Sequence, residues 1–370
     1  MRSTHNSIDL VVWQNIMNYL ILLIAFVSGT FILGKLSITR IFQLGIFASI
    51  LYYLIILLMR NHLQPFIIPL GIFSGLGNGL YWFSLNLLIG NLVDSDSRPK
   101  FFSYQQMMGF AFGIIVPAFS GWLIVKMPGL TGYYLLFAAS IVLSLAAIAL
   151  IFRLHGFKTE RQMNVFGILR LRGNHFWNAN IMLNISMGFK GALNTLVFVL
   201  FAYLLFSSEK TIGDLTSLQA ALSVVSALTF AKLFNRKYTR AMYFLTACLS
   251  FLAFMLLAIF ASPAMMIVAF VIFGIIQSWG SAIANSMNYQ FSDFGGAGFT
   301  QGEYIVASEF PMAIGRIGGL ILVLILTQLT SSIELVYRLV FAAIGLMWLL
   351  EFFVIDRGVG WRSTEFEHLV

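Results

Sequence analysis

Residues 301–329 read QGEYIVASEFPMAIGRIGGLILVLILTQL, an apolar stretch that is long enough to cross a bilayer but contains Glu309 and Arg316. A single charge at the centre of a bilayer costs about 2.5–3.5 kcal/mol on insertion scales. The two charges lie about two helical turns apart, so both project from the same face of a helix. Because such charges need a stabilising partner inside a membrane, this stretch is the first candidate for a functional site.

The rest of the chain has the composition of a membrane protein. Of its 370 residues, 59% are hydrophobic and 10% are charged, and a soluble protein of this length would need more polar residues to cover its surface. The single cysteine, Cys248, excludes a disulfide framework and a cysteine metal site. The net charge of +8 comes from short loops between apolar segments, so it does not indicate nucleic-acid binding.

Apolar windows of about 20 residues predict eleven transmembrane helices. Most lysines and arginines between them fall in alternate loops, beginning with residues 35–40. The positive-inside rule places those loops and the C-terminus in the cytoplasm, which predicts a multi-pass protein of the plasma membrane. The predicted spans are 11–34, 41–60, 66–92, 101–126, 132–152, 178–206, 213–234, 241–261, 264–289, 301–330 and 334–355.

The longest connection, residues 153–177, divides the spans into five and six. Apolar and basic residues alternate in it, which predicts a linker that is partly helical along the membrane surface. The predicted protein is therefore an all-α polytopic membrane protein with two bundles. Residues 1–152 form an N-terminal bundle of five spans, 153–177 the cytoplasmic basic linker, 178–356 a C-terminal bundle of six spans and 357–370 a cytoplasmic tail.

The two halves repeat each other at an offset of about 200 residues. Spans beginning near 41, 66, 101 and 132 correspond to spans beginning near 241, 264, 301 and 334. The span 178–206 lacks a counterpart in the first half. The pattern therefore predicts a six-plus-six arrangement whose first helix is missing. Either the start codon is assigned too far downstream, which is the favoured explanation, or the gene lacks that helix.

Two repeats of spans, a basic central linker and basic loops at matching positions resemble the major facilitator superfamily (MFS) of transporters over essentially the whole chain. The loop GKLSITR at Gly34–Arg40 is similar to the family's motif G-x-x-x-D-R-x-G-R-R, although the acidic residue and the second glycine are replaced. The resemblance implies a cytoplasmic gate at this loop and at its repeat partner. The gate candidates are Gly34, Lys35, Arg40, Lys232, Arg236 and Arg240.

Small residues recur every four positions in the span 101–126, and its ending VPAFSGWLI resembles the antiporter signature G-P-x-x-G-G. The stretch GRIGGLIL is similar to it in the second half. Such spacing forms a groove that lets helix backbones approach closely, which any tightly packed membrane bundle can also use. The groove candidates are Gly109, Gly113, Pro117, Gly121, Gly315 and Gly319.

The resemblance also implies that the first and fourth helices of each half line a central cavity, here spans 66–92, 178–206 and 264–289. Polar and tryptophan side chains near their centres are candidates to line this cavity, although interhelical hydrogen bonds and packing explain them too. The candidates are Asn78, Trp82, Asn86, Asn194, Gln277, Trp279 and Asn285.

The charged residues make a more specific prediction. At a rise of about 1.5 Å per residue, Lys190 lies at a depth between Glu309 and Arg316. Because those two lie about 10 Å apart along their helix, they are expected not to pair directly. Lys190 is then the expected partner of Glu309, which leaves Arg316 free for a substrate anion or for a set of carbonyl groups. The alternative is a buried ion pair that only fixes packing. Glu303 and Glu351 are expected at the cytoplasmic interface.

These features favour a monomeric secondary active transporter that moves a small organic solute by alternating access. Glu309 is the expected proton-coupling group, and Arg316 and Lys190 are expected to orient the solute. Export of an amphipathic compound is favoured; the alternatives are uptake of a small anionic solute and a transport-incompetent scaffold or receptor. The expected partners are the lipid bilayer, the solute and protons, without nucleic acid. Metal, nucleophile and phosphate-loop motifs are absent from the sequence, so neither an enzyme nor a cofactor is expected.

Overall fold

The computed structural model describes residues 2–59, 64–92, 98–153, 163–171, 174–233, 238–294 and 299–359. In these ranges the regular structure is entirely helical, and 11 helices are long and apolar enough to cross a membrane, as the sequence predicts. The helices are α1 (Arg2–Ile32), α2 (Ile38–Met59), α3 (Ile67–Leu92), α4 (Arg98–Lys126), α5 (Thr131–Ile151), α6 (Val165–Leu169), α7 (His175–Leu193), α8 (Val199–Phe206), α9 (Glu209–Leu233), α10 (Thr239–Phe260), α11 (Pro263–Phe294), α12 (Gln301–Leu329) and α13 (Ile333–Val359).

Local sequence explains where several helices begin and end. A π-helical turn, Asn194–Phe198, joins α7 to α8 within one span, Trp177–Phe206. The residues that follow α8 and α10, Ser207 and Ala261, adopt the left-handed conformation that closes many helices. Pro263 then opens α11, where its missing N–H is not needed.

The predicted linker contains the short helix α6, which is capped by the Asn164 side chain. Its buried residues, Val165 and Ile168, pack against other helices, so α6 is docked on the protein. Its position relative to the membrane surface stays a prediction. Residues 154–162, 172–173 and 360–370, which include the rest of the linker and nearly all of the tail, lie outside the described residues. The boundaries of the two bundles stay predictions.

The spanning helices pack in two matching sets. In the first set α3 packs on α1 and α2, and α5 packs on α2; in the second set α11 packs on α9 and α10, and α13 packs on α10. Two seams join the sets, one between α1 and α12 and the other between α4 and α9. The α7 helix packs on α11, α12 and α13. This arrangement is the two-bundle fold that the repeat predicts.

Small residues at the α7–α12 crossing allow the two backbones to approach closely. A Cβ atom on Gly188 would overlap the backbone of Met312, and one on Gly315 would overlap the backbone of Ile185. Only glycine fits at such a crossing without displacing a helix. Gly319 of α12 also faces α7, through Phe189 and Leu193.

The groove candidates of α4 face a different neighbour. A Cβ on Gly121 would lie 2.6 Å from the carbonyl oxygen of Glu209 in α9, and one on Gly113 would lie 3.2 Å from Ala220. The carbonyl of Pro117 lies against Gly213, whereas Gly109 has open space beside it. The small-residue face of α4 is therefore used at the seam with α9.

We expect Gly315→Ala to destabilise the protein by about 1–3 kcal/mol, because the added methyl group must push α7 and α12 apart. The matched control is Gly318→Ala, since a Cβ at Gly318 meets no atom within 4 Å. The check is the thermal unfolding midpoint of the detergent-solubilised protein. The close-approach argument fails if both variants unfold at the same temperature.

Candidate functional site

Glu309 and Arg316 form a direct ion pair in α12, in which an Arg316 guanidinium N–H donates to the carboxylate. Their side chains are 10% and 19% exposed. The prediction that they cannot pair is therefore wrong. It considered only the rise along the axis, whereas side chains on a helix lean toward its N-terminus and arginine is long enough to reach back two turns.

Arg316 also reaches across the seam between the two sets of helices. Its guanidinium carbon lies 5.2 Å from the ring centroid of Tyr19 in α1, within the range of a cation–π interaction. A second N–H of Arg316 lies 2.8 Å from the sulfur of Met312. The cation is thus surrounded by a carboxylate, a thioether and an aromatic face, and one of these belongs to the opposite set.

The same seam continues toward the predicted outer side. There the Thr327 hydroxyl of α12 donates to Asp9 of α1 at 2.9 Å, and the Gln328 amide donates to the same carboxylate at 3.4 Å. The α1–α12 seam is therefore held by polar contacts at two levels, and the deeper one is the Glu309–Arg316 pair.

Lys190 does not approach Glu309, contrary to the prediction. It pairs with Glu351 of α13, whose second oxygen accepts from the hydroxyl of Tyr243 in α10. The Lys190 ammonium also lies 3.4 Å from the ring centroid of Trp348. All three polar partners are buried inside the protein. This cluster joins α7, α10 and α13, which belong to one set of helices.

Glu303 is also buried, although an interfacial position was expected. It forms a capping box with Thr300 at the start of α12, and its other oxygen accepts from the backbone N–H of Asn164 at 2.7 Å. An anion is favourable at a helix N-terminus, where the backbone N–H groups lack partners. Glu303 therefore holds the linker and α6 against the predicted cytoplasmic end of α12.

Replacing Glu303 with alanine is expected to release α6. The change removes the acceptor of the Thr300 N–H, which is one half of the capping box, and the acceptor of the Asn164 N–H. Each buried N–H left without its acceptor costs about 1–3 kcal/mol. Amide hydrogen exchange at Val165–Leu169 should accelerate at least about tenfold. Glu334→Ala, which removes an exposed acidic residue from the first turn of α13, is the control. Unchanged exchange in Glu303→Ala would show that α6 is held by apolar packing alone.

The predicted cavity residues do not form one cluster. Asn78 bonds weakly to Asn18 of α1 at 3.4 Å, the side-chain oxygen of Gln277 accepts from Gln219 at 2.9 Å, and the Trp279 indole donates to a backbone carbonyl. Trp82, Asn194 and Asn285 are exposed, and Asn86 is half-buried.

A buried amide network was largely missed from the sequence. Asn180 of α7 donates to the Ser308 hydroxyl of α12 at 2.8 Å, and Asn184 donates to Asn288 of α11 at 3.1 Å. Asn180 and Asn184 are also bonded to each other. The spacing of Asn180 and Asn184 could have predicted this network, because two residues four positions apart lie on the same face of a helix. The network fixes α7 against α11 and α12.

A pocket of about 190 Å³ lies between α9 and α11. It is smaller than the roughly 300–1,000 Å³ of ordinary small-molecule sites. In this conformation it is therefore too small for a whole organic solute. Its lining residues are Leu222, Val225, Ser226, Thr229, Ile275 and Trp279.

The predicted gate loops are described only in part. Gly34, Lys35 and Arg40 are exposed. Arg240 donates to both carboxylate oxygens of Asp356, at 2.6 and 2.8 Å, which ties α10 to the end of α13. Arg236 and the side chain of Lys232 lie outside the described residues. Among the residues that are described, no group of three or more His, Cys, Asp or Glu side chains could hold a metal ion.

Comparison of the sequence with known proteins gives distant relatives. No family model matches the chain. Over 214 residues it is 23% identical to "Uncharacterized protein YqgE" of Bacillus subtilis (strain 168), covering 56% of this chain and 49% of that protein. Over 99 residues it is 26% identical to "Uncharacterized protein in sodM 3'region" of Geobacillus stearothermophilus, covering 27% and 46%. The chain spans about half the length of the curated relatives it matches.

Comparison of the structure with solved structures gives a closer likeness. The crystal structure of a POT family transporter in complex with 5-aminolevulinic acid matches with a TM-score of 0.71 and 14% identity, over 97% of this chain and 88% of that one. The crystal structure of a D-xylose–proton symporter matches with a TM-score of 0.67 and 12% identity, over 93% and 88%. At these identities the likeness concerns the fold.

Proposed function

We propose that this chain, which has the all-α two-bundle fold of MFS transporters, is a proton-coupled secondary active transporter of a small organic solute. The observation that carries the proposal is the buried Glu309–Arg316 pair, whose cation faces Tyr19 of the opposite set of helices. In alternating access the two bundles rock about a central site, so groups at a seam change their surroundings in every cycle. A titratable pair at such a seam is well placed to link protonation to that motion.

The chemistry of the pair favours a solute with an anionic group. While Glu309 is ionised, it neutralises Arg316. When Glu309 takes up a proton, Arg316 is left as an unpaired charge in apolar surroundings, which is strongly unfavourable. A carboxylate or phosphate on a solute then replaces Glu309 as the partner of Arg316, because a guanidinium binds these groups through two parallel hydrogen bonds.

Charge balance couples the proton to the solute. The resting pair and the state with a protonated Glu309 and a bound monoanion carry the same net charge. Carrying either ligand alone would move an unbalanced charge through a low-dielectric region. Proton and anion therefore travel together, which favours uptake of a small anionic solute driven by an inward proton gradient. The export of an amphipathic compound, favoured by the sequence, is the second candidate, since Trp82 offers an exposed aromatic surface.

Transport of either kind requires the seams to open. On the predicted outer side, the contacts that must part are Asp9 with Thr327 and the hydrogen bond from Tyr133 of α5 to Glu209 of α9, 2.8 Å long. On the predicted cytoplasmic side, the docking of the linker on Glu303 must loosen.

The proposal is tested with purified protein in proteoliposomes that contain a pH-sensitive dye. A panel of small carboxylates and phosphates is added outside, with ethidium as an amphipathic cation. We expect at least one acidic compound to carry protons inward, and Arg316→Gln to abolish that flux. Arg338→Gln, which removes an exposed arginine paired with Glu334, is the matched control. If protons move only when ethidium is added, the result favours export of an amphipathic compound. If no compound causes proton movement, the result favours a scaffold that does not transport.

A further inference from the structure

We infer that the pocket between α9 and α11 binds the end of one acyl chain of an anionic phospholipid. The inference rests on the fold and is independent of the proposed function. The pocket has a volume of about 190 Å³ and is lined by side chains of both helices. An apolar cavity of about 150 Å³ is large enough to hold a benzene molecule, so this pocket has room for the end of a hydrocarbon chain.

The polar side chains that line the pocket are bonded to the backbone. The Ser226 hydroxyl donates to the carbonyl of Ile275, and the Thr229 hydroxyl donates to the carbonyl of Val225 at 2.8 Å. The Trp279 indole donates to the carbonyl of Ser226 at 3.3 Å. The other lining residues are aliphatic. Because a polar ligand group gives up hydrogen bonds when it enters such surroundings, the lining favours a hydrocarbon.

The pocket opens onto an apolar surface of the two helices. Two of its lining residues, Val225 and Ile275, are 63% and 42% exposed. Leu218 lies seven residues before Val225 and Val268 lies seven before Ile275, so each pair shares one helix face, and Leu218 and Val268 are exposed as well. Gln277, a predicted cavity residue, follows Ile275 by two positions and therefore projects from the opposite side of α11. The pocket thus belongs to the side that faces the lipid.

A hollow on a lipid-facing surface is filled by the bilayer itself. The hydrocarbon region holds no water that could occupy it, and an unfilled hollow leaves its lining atoms without contacts on one side. An acyl chain that enters the hollow contacts α9 and α11 together, whereas a chain elsewhere on the surface contacts a convex helix. The pocket therefore holds one chain more firmly than the surrounding surface does.

The charge at one end of the pocket favours a particular head group. Thr229 lies one turn before the end of α9 at Leu233, which is the predicted cytoplasmic end. Lys232 is in the last turn of α9, and residues 230–237 also contain Arg236 and Lys237 without an acidic residue. Each lysine or arginine near a membrane surface favours an anionic lipid by about fivefold. A phospholipid with its chain in the pocket and an anionic head group at this end matches both features.

The test measures how phospholipids with brominated acyl chains quench the tryptophan fluorescence of the purified protein in liposomes. Brominated phosphatidylglycerol is compared with brominated phosphatidylcholine at increasing mole fractions. Because Trp279 lines the pocket, its signal is obtained in each protein by subtracting the signal of the same protein with Trp279→Phe. Val225→Phe fills the pocket, and Leu218→Phe, on the same exposed face of α9, is the matched control. Both positions are exposed, so the fold is expected to tolerate the larger side chain.

We expect phosphatidylglycerol to quench the Trp279 signal at a mole fraction about fivefold lower than phosphatidylcholine, from the attraction of a single basic residue. This preference should disappear in Val225→Phe and persist in Leu218→Phe. Equal quenching by the two lipids, or no quenching by either, would overturn the inference. A preference that survives Val225→Phe would overturn it too, because the anionic lipid is then attracted without entering the pocket. The readout is a contact, so it is independent of whether the protein transports the proposed solute.

Discussion

Glu309→Gln is expected to abolish solute accumulation driven by a pH gradient while leaving solute exchange at equal pH intact. Glutamine has the shape of a protonated glutamate, so Arg316 keeps a neutral neighbour and stays available for the solute anion. The solute can then cross in both directions, but the proton has no site to occupy. The measurement is uptake of the acidic compound found in the screen, with and without an inward proton gradient.

The control for this prediction is Glu334→Gln, which neutralises a glutamate paired with arginine on an exposed surface of α13. It should accumulate solute as the unchanged protein does. If Glu309→Gln also accumulates solute against its gradient, Glu309 is not the coupling group. If it loses exchange as well as accumulation while remaining folded, the pair serves binding but does not separate proton from solute.

Lys190→Met is expected to destabilise the protein by about 3–5 kcal/mol, because it leaves the buried Glu351 carboxylate without its counter-charge. Tyr243 remains as a single hydrogen-bond donor and cannot neutralise it. The double variant Lys190→Met, Glu351→Leu should recover most of this loss, since an apolar pair can replace a buried ion pair. Thermal unfolding in detergent checks both.

The stability control is Arg338→Met, whose ion pair is exposed and is worth about 0–1 kcal/mol. The folded double variant also separates structure from transport. Because the Lys190 cluster lies within one set of helices, we expect this variant to retain proton-coupled transport. If the double variant is stable but inactive, Lys190 contributes to the solute site, as expected from the sequence.

The spans and the repeat could be predicted from the sequence because bilayer thickness fixes the length of an apolar helix. The basic loops and the offset between halves then gave the two-bundle arrangement. The position of α6 was harder to predict from the sequence. Its mixture of apolar and basic residues suits a membrane surface as well as a protein surface, and the partner that decides between them, Glu303, lies far along the chain.

The candidate site could be predicted in its residues but not in its pairings. Glu309 and Arg316 were recognisable as costly charges, whereas their direct contact depends on side-chain reach. The partner of Lys190 depends on which face of α7 meets α13, which one sequence does not encode locally. The capping box formed by Thr300 and Glu303 was readable, because a threonine followed three residues later by glutamate is its ordinary signature.

The central claim, that the two bundles separate at the α1–α12 seam during transport, is tested most directly by locking that seam. In a Cys248→Ala background, Asp9→Cys and Thr327→Cys replace two residues in contact across the seam, and oxidation with copper phenanthroline joins them. The control pair is Ser226→Cys and Ser278→Cys. The hydroxyl oxygens of these two serines lie 3.2 Å apart, and both residues belong to the same set of helices. We predict that the first lock stops proton-coupled uptake until dithiothreitol is added, while the second does not. Uptake that continues through the locked α1–α12 seam would contradict the account.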